Sequence, residues 1–121
     1  KCLNAARTVY DLGKAKKGFQ QGNSYGAPYR YGEITWADDM EWGAAELFRV
    51  TGEQRYLEEA KQYALKANTD NWLMLDSAAH YQYYPFINMG HFVLHELVEP
   101  DFQKTLEGYY KKEIENICKN Y

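Results

Sequence analysis

Asp38 and Asp39 are the acidic residues best placed to suggest acid–base chemistry in this 121-residue sequence, because they open a segment with helical spacing. An acid and a base that cleave one bond together must face that bond from two sides. Adjacent side chains on a helix point about 100° apart, so these two carboxyl groups cannot clamp one bond. We expect the pair to cap or anchor the helix, or to hold a ligand hydroxyl, rather than to catalyse.

His91 and His95 lie four residues apart, the spacing that presents two imidazoles on one helical face to a metal. The sequence has no His-Glu-x-x-His motif, and His80 is its only other histidine. Its acidic clusters also lack the alternating oxygen ligands of a calcium-binding EF-hand loop. We therefore expect neither a metal site nor a cofactor.

Aromatic residues are unusually common, with 12 Tyr, 5 Phe and 3 Trp making up 17% of the chain. Tyrosine combines a flat apolar ring with a hydrogen-bonding hydroxyl. That combination suits a sugar, whose CH face stacks on a ring, and it equally suits a protein interface. Composition alone does not decide between sugar binding and a protein interface.

The patterns of charge and hydropathy argue against two classes of partner. Fourteen Lys and Arg against 17 Asp and Glu give a net charge of −3 with no basic stripe, so nucleic acid is not expected as a partner. No apolar run approaches the roughly 20 residues of a membrane span, so no membrane is expected either.

Cys2 and Cys118 fit no metal or redox motif. We expect them to be two small buried side chains, with a disulfide bridge between the end helices as the alternative.

The spacing of apolar residues predicts five helices and no strand. The first spans Cys2 to about Lys16, the second is capped by Asp38 or Asp39 and ends at Thr51-Gly52, and the fourth is broken by Pro100. The five apolar stripes are Leu3, Ala6, Val9, Tyr10 and Gly13; Met40, Gly43, Ala44, Leu47 and Val50; Tyr56, Leu57, Ala60, Tyr63, Ala64 and Ala67; Met89, Phe92, Val93 and Leu97; and Phe102, Leu106, Tyr109, Tyr110, Ile114 and Ile117.

Two long aromatic segments, 19–35 and 68–85, alternate with these helices. Structureless loops longer than about 12–15 residues are uncommon and are often functional. The order of helix, loop and helix predicts an all-α fold of stacked antiparallel helical hairpins. Predicted helices run to both ends of the chain, so we expect further hairpins to flank this segment.

The segment from Trp36 to Leu57 resembles a helical hairpin of family 9 glycoside hydrolases. The likeness lies in its Asp-Asp-Met-Glu-Trp run and in its Ala-Ala, Thr-Gly and Tyr-Leu pairs. The run Tyr-Pro-Phe-Ile-Asn-Met-Gly-His-Phe-Val-Leu, residues 84–94, and the later Tyr109-Tyr110 are also similar to that family. The resemblance implies a six-hairpin α/α barrel that hydrolyses β-1,4-glucan with inversion. Residues 1–121 would form a partial catalytic domain holding only central hairpins.

The resemblance also implies that catalysis depends on residues outside this chain. The family uses an Asp-Ala-Gly-Asp motif and a later glutamate, and neither motif is present, so no catalytic residue is expected here. We expect the isolated chain to be inactive, and to self-associate or be marginally stable because its missing neighbours leave apolar faces uncovered. Its implied partners are a polysaccharide or oligosaccharide and the remaining hairpins, and its implied location is extracellular or periplasmic.

The aromatic segments are the candidate binding site, because the family carries sugar-contacting aromatics before its inner helices. Packing or structural hydrogen bonds are the alternative for each residue. The same likeness implies that His91 packs at a hairpin interface, while Trp42, beside the small residues of its helix, is expected to act through packing if it is buried. The candidate sugar-contacting residues are Tyr29, Tyr31, Trp36, Tyr83, Tyr84 and Asn88.

Two other functions fit parts of the sequence. A helical-repeat domain would bind a protein on a concave surface, but it would show a fixed period that this chain lacks. Another α/α barrel could act on a different sugar, because a fold does not determine its substrate.

Overall fold

The computed structural model describes residues 1–18, 35–70 and 89–120. Those residues contain helices and no strand, which confirms the all-α prediction for this part of the chain. Closure into a six-hairpin barrel stays a prediction. The helices are α1 (Cys2–Ala15), α2 (Ala37–Thr51), α3 (Gln54–Asp70), α4 (Met89–His95) and α5 (Pro100–Asn120).

Helices α2 and α3 form the predicted hairpin, and α2 packs more extensively against α3 than against any other described helix. The turn forms because Gly52 adopts φ 69°, a left-handed conformation that costs glycine little. The Gly52 N–H donates to the Phe48 carbonyl at 2.7 Å, closing the last turn of α2. Fully buried alanines let the two helices approach closely; they are Ala44, Ala45, Ala60 and Ala64.

The apolar stripe predicted for α3 is confirmed in full. All six positions, Tyr56, Leu57, Ala60, Tyr63, Ala64 and Ala67, are buried. At the start of this stripe the Tyr56 ring meets the Tyr10 ring edge-on, with centroids 5.6 Å apart. A helix that touches neighbours along its whole length is the case in which spacing predicts burial well.

Helix α1 joins the bundle through one buried tyrosine and several polar contacts. The Tyr10 hydroxyl donates to Glu59 Oε2 at 2.6 Å, and Lys14 pairs with the other oxygen of the same carboxylate. Arg7 forms an ion pair with Glu53. Burial opposes ionisation of Glu59, but the hydrogen bonds from Lys14 and Tyr10 outweigh it and lower the pKa of Glu59.

Several predicted core positions are exposed instead. Helical spacing identifies an apolar face, but it does not show whether a neighbour covers that face. Among the described residues, parts of the stripes of α1, α2, α4 and α5 stay uncovered. The exposed members are Ala6, Val9, Val50, Phe92, Tyr110 and Ile114, while the side chain of Ile117 lies outside the described residues.

The expectation that the two cysteines are buried is also wrong. Cys2 and Cys118 are both exposed and unbridged, because each lies on a helix end that no other described element covers. Trp42 is likewise 38% exposed rather than buried.

Helix α4 has only seven residues, and four of them are buried: Gly90, His91, Val93 and Leu94. It ends at His95, before the predicted break at Pro100, and Pro100 instead begins α5. Proline suits a first helical position because its fixed φ is already helical and its missing N–H is not needed there. The described helices include none that is both long and apolar enough to cross a membrane.

Candidate functional site

The ends of three helices meet around the indole of Trp36, which lies just before α2. Tyr63, in the second half of α3, meets the Trp36 ring edge-on with centroids 5.9 Å apart. Lys17, just after α1, and Lys66, near the end of α3, each place Nζ 5.2 Å from the Trp36 ring, as in a cation–π contact. The end of α1, the start of α2 and the end of α3 therefore lie together.

Helix α4 begins at the same end of the bundle, next to the first turns of α2. A Cβ on Gly90 would lie 2.9 Å from Glu41 Cδ and 3.2 Å from the Asp38 carbonyl oxygen, so no side chain fits there without displacement. The absent side chain allows α4 to approach α2 closely. The chain thus leaves and re-enters the bundle at one end for both segments 19–34 and 71–88.

Glu41 and His91 form a buried polar contact between α2 and α4. His91 Nδ1 lies 2.7 Å from Glu41 Oε1, and Glu41 is fully buried. The second carboxylate oxygen, Oε2, has no hydrogen-bond partner among the described residues. Burial raises the pKa of Glu41, and the opposing hydrogen bond and charge of His91 do not fully offset it.

Tyr109 extends this cluster to α5. Its ring lies against the His91 ring, with centroids 5.8 Å apart and planes inclined at 40°. Burial raises the pKa of Tyr109, and the negative charge of Glu41 raises it further. The contact of His91 with Glu41, on the α2–α3 hairpin, confirms that His91 packs between hairpins. The burial of Glu41 was not predicted, because a glutamate in the first turns of a helix ordinarily faces water.

The other face of α4 borders a groove against α5. The groove has a volume of about 700 Å³ and is lined by His91, Phe92, His95, Leu106, Tyr110 and Ile114, with charged residues at its rim. His95 Nε2 lies 3.0 Å from Glu107 Oε1 at this rim, and both side chains are well exposed. The groove is mainly apolar, so it suits an apolar surface better than a charged ligand.

The predicted capping role of Asp38 or Asp39 is wrong. Helix α2 begins at Ala37, so its N-cap residue is Trp36, and no side-chain hydrogen bond comes from that residue. The Thr35 hydroxyl instead accepts a hydrogen bond from the Ala37 N–H at 3.1 Å. Asp38 and Asp39 occupy the first turn, where their negative charge complements the helix dipole.

Of the candidate sugar-contacting residues, the structure describes Trp36, which is partly buried. Tyr29, Tyr31, Tyr83, Tyr84 and Asn88 lie outside the described residues. Within residues 1–18, 35–70 and 89–120, no group of three His, Cys, Asp or Glu side chains is arranged to hold a metal ion.

Comparison with known proteins gives one family. The model of Glycosyl hydrolase family 9 matches residues 1–121, the whole chain. Two sequences of Endoglucanase D from Acetivibrio thermocellus are each 32% identical over 75 residues, which cover 58% of this chain and 12% of the relative. The match thus spans about an eighth of the length of those curated relatives. No solved structure gives a significant match.

Proposed function

Because the chain belongs to glycosyl hydrolase family 9, we propose that it is a central part of a catalytic domain that hydrolyses β-1,4-glucan or a related polysaccharide with inversion. The family match over every residue carries this proposal. The relatives named Endoglucanase D support a glucan substrate, and the short share of their length that is matched supports a larger parent domain.

The acid and base of this reaction would come from outside the chain. Inversion requires two carboxyl groups about 6.5–9.5 Å apart on opposite faces of the sugar, one to protonate the leaving oxygen and one to activate water. Asp38 and Asp39 are adjacent on one helix turn, and Glu41 is fully buried, so none of the three suits either task. Residues 1–121 would therefore be inactive alone, and their uncovered apolar faces favour self-association when the rest of the domain is missing.

The contribution of this chain would be to bind sugar at the end of the bundle around Trp36. Both aromatic segments join the helices at that end, which supports a shared cleft for Tyr29, Tyr31, Trp36, Tyr83, Tyr84 and Asn88. Lys17 and Lys66 now lie over the Trp36 ring, so a sugar that stacks on it must displace a lysine side chain. Such a substrate is a polymer too large to enter a cell, which favours an extracellular or periplasmic location.

Product stereochemistry tests the reaction. The full-length protein containing this chain is mixed with a soluble β-1,4-glucan, and the first products are followed by proton NMR. Inversion at a β-linkage gives the α-anomer first. The 121-residue chain alone, measured beside it, should release no sugar. A first product with the β-anomer, or no hydrolysis by the full-length protein, would contradict the proposal.

Calorimetry on variants of the aromatic residues tests the binding role. Trp36→Ala and Tyr84→Ala should each weaken cello-oligosaccharide binding by about 5- to 10-fold, since one stacked ring contributes on the order of 1 kcal/mol. Trp42→Ala is the matched control, because Trp42 is also a partly exposed tryptophan but lies on α2 beyond its first turn. Equal binding by all four proteins would mean that Trp36 and Tyr84 are structural.

A further inference from the structure

The short helix α4 needs outside contacts to hold its place. An isolated helix shorter than about 12–15 residues is marginal in water, and α4 has seven. Val93 and Leu94 are buried in the core, but apolar contacts are not directional and permit small shifts along a neighbouring helix. A directional contact would fix more closely where α4 begins relative to α2.

The hydrogen bond between Glu41 and His91 is a directional contact of this kind between α2 and α4. Glu41 is the fifth residue of α2 and His91 is the third residue of α4, so the bond joins the second turn of α2 to the first turn of α4. Gly90 lets the two backbones approach, and the Tyr109 ring covers the imidazole from α5. Burial excludes competing water, which strengthens the bond and makes any other partner for Glu41 costly.

We propose that Glu41 and His91 are positioning residues, which fix the starts of α2 and α4 relative to each other at the end of the bundle where substrate is proposed to bind. Neither residue is required to touch substrate. This inference rests on the proposed function, because the geometry matters only if that end binds glucan. A shift of one helix start would separate binding groups that must contact one sugar chain together.

The test compares kcat and KM for hydrolysis of a soluble cello-oligosaccharide by the full-length protein and its folded variants. Glu41→Leu removes the hydrogen bond and keeps the volume. Glu41→Gln keeps an oxygen that can accept from His91 Nδ1. We expect Glu41→Leu to raise KM about tenfold with kcat nearly unchanged, and Glu41→Gln to restore KM to near the wild-type value. Glu107→Leu, which removes the exposed partner of His95, is the matched control and should leave both constants unchanged.

Two results would overturn the inference. One is a wild-type KM in folded Glu41→Leu, which would leave the proposed function intact. The other is an equal loss of activity in Glu41→Leu and Glu41→Gln, which would make the side chain's role purely one of stability or charge. If Glu41→Leu does not fold, His91→Leu, which removes the donor to Glu41 Oε1, takes its place with the same expected rise in KM. A wild-type protein that neither binds nor cleaves glucan would refute the proposed function itself, and this inference with it.

Discussion

Two histidines of α4, one turn apart, each pair with a glutamate from another helix, and the two pairs differ mainly in how far they are buried. In the first, the side chains of His91 and Glu41 are 8% and 0% exposed; in the second, those of His95 and Glu107 are 38% and 62% exposed. An exposed pair gains little because water competes for both partners. A buried pair is not hydrated, so removal of one partner leaves the other with no hydrogen bond to offset the cost of its burial. Burial, rather than residue type, should therefore decide which pair matters.

The largest expected effect is on the buried pair. Glu41→Ala should lower the free energy of unfolding by about 3–5 kcal/mol, because it leaves a buried imidazole without its partner and opens a cavity. Urea unfolding followed by circular dichroism measures this difference. A loss below about 1 kcal/mol would show that water reaches the α2–α4 contact and that the two pairs are equivalent.

Two glycine substitutions test how closely the helices approach. Gly90→Ala should destabilise by about 1–3 kcal/mol, because its Cβ would meet Glu41 and the Asp38 carbonyl. Gly108→Ala, on α5, is the matched control, since a Cβ there has no atom within 4 Å. It should stabilise by up to about 1 kcal/mol, the helix-propensity gain of alanine over glycine. The same sign of change at both sites would contradict the close α2–α4 contact.

The pH dependence of stability separates Glu41 from Glu59. The pKa of Glu41 is raised above its ordinary 4.5, so the folded state holds the proton more tightly and stability falls as pH rises from about 4.5 through the raised value. The pKa of Glu59 is lowered, so its stabilisation is complete above 4.5 and is lost as pH falls through the lowered value.

Unfolding free energies from about pH 3 to 8 test these opposite signs. Relative to Glu41→Gln, the wild type should lose stability with rising pH, whereas relative to Glu59→Gln it should gain stability. Parallel curves for the wild type and both variants would contradict the two pKa shifts.

The smallest expected effect is at the exposed pair. Glu107→Gln should change the free energy of unfolding by less than about 0.5 kcal/mol, because both partners remain hydrated after the substitution. The same urea titration applies. A loss comparable to that of Glu41→Ala would mean that a further element covers this face in solution.

Sequence spacing predicted α3 well and α1 poorly, and the difference is physical. Every apolar residue of the α3 stripe meets a neighbour, so spacing and burial coincide. Helix α1 buries only Tyr10, with Leu3 partly buried, and the apolar Val9 stays exposed. Ion pairs of Arg7 and Lys14 supply further contacts. Local pattern cannot identify which faces of a helix are covered, because that depends on residues distant in sequence.

The candidate site shows the same limit. The resemblance to a known family predicted that His91 packs between hairpins. Nothing local to Glu41 distinguishes it from an exposed glutamate such as Glu46 on the same helix. Only the position of His91, 50 residues later, shows that the Glu41 carboxylate is buried and paired. A signal could have come from pairing each acidic residue near a helix start with the histidines of other helices.

The two ends of the helical bundle differ in how their connections are built. At one end, Gly52 and Glu53 join α2 to α3, and residues 96–99 join α4 to α5. At the other end the connections are the long segments 19–34 and 71–88. Closing a loop costs entropy that grows only logarithmically, by roughly 0.6 kcal/mol for each doubling of length. Insertions and deletions should therefore accumulate during evolution at the end of the bundle that contains Trp36. Relatives could then differ in the polymer that they bind while their helices stay the same.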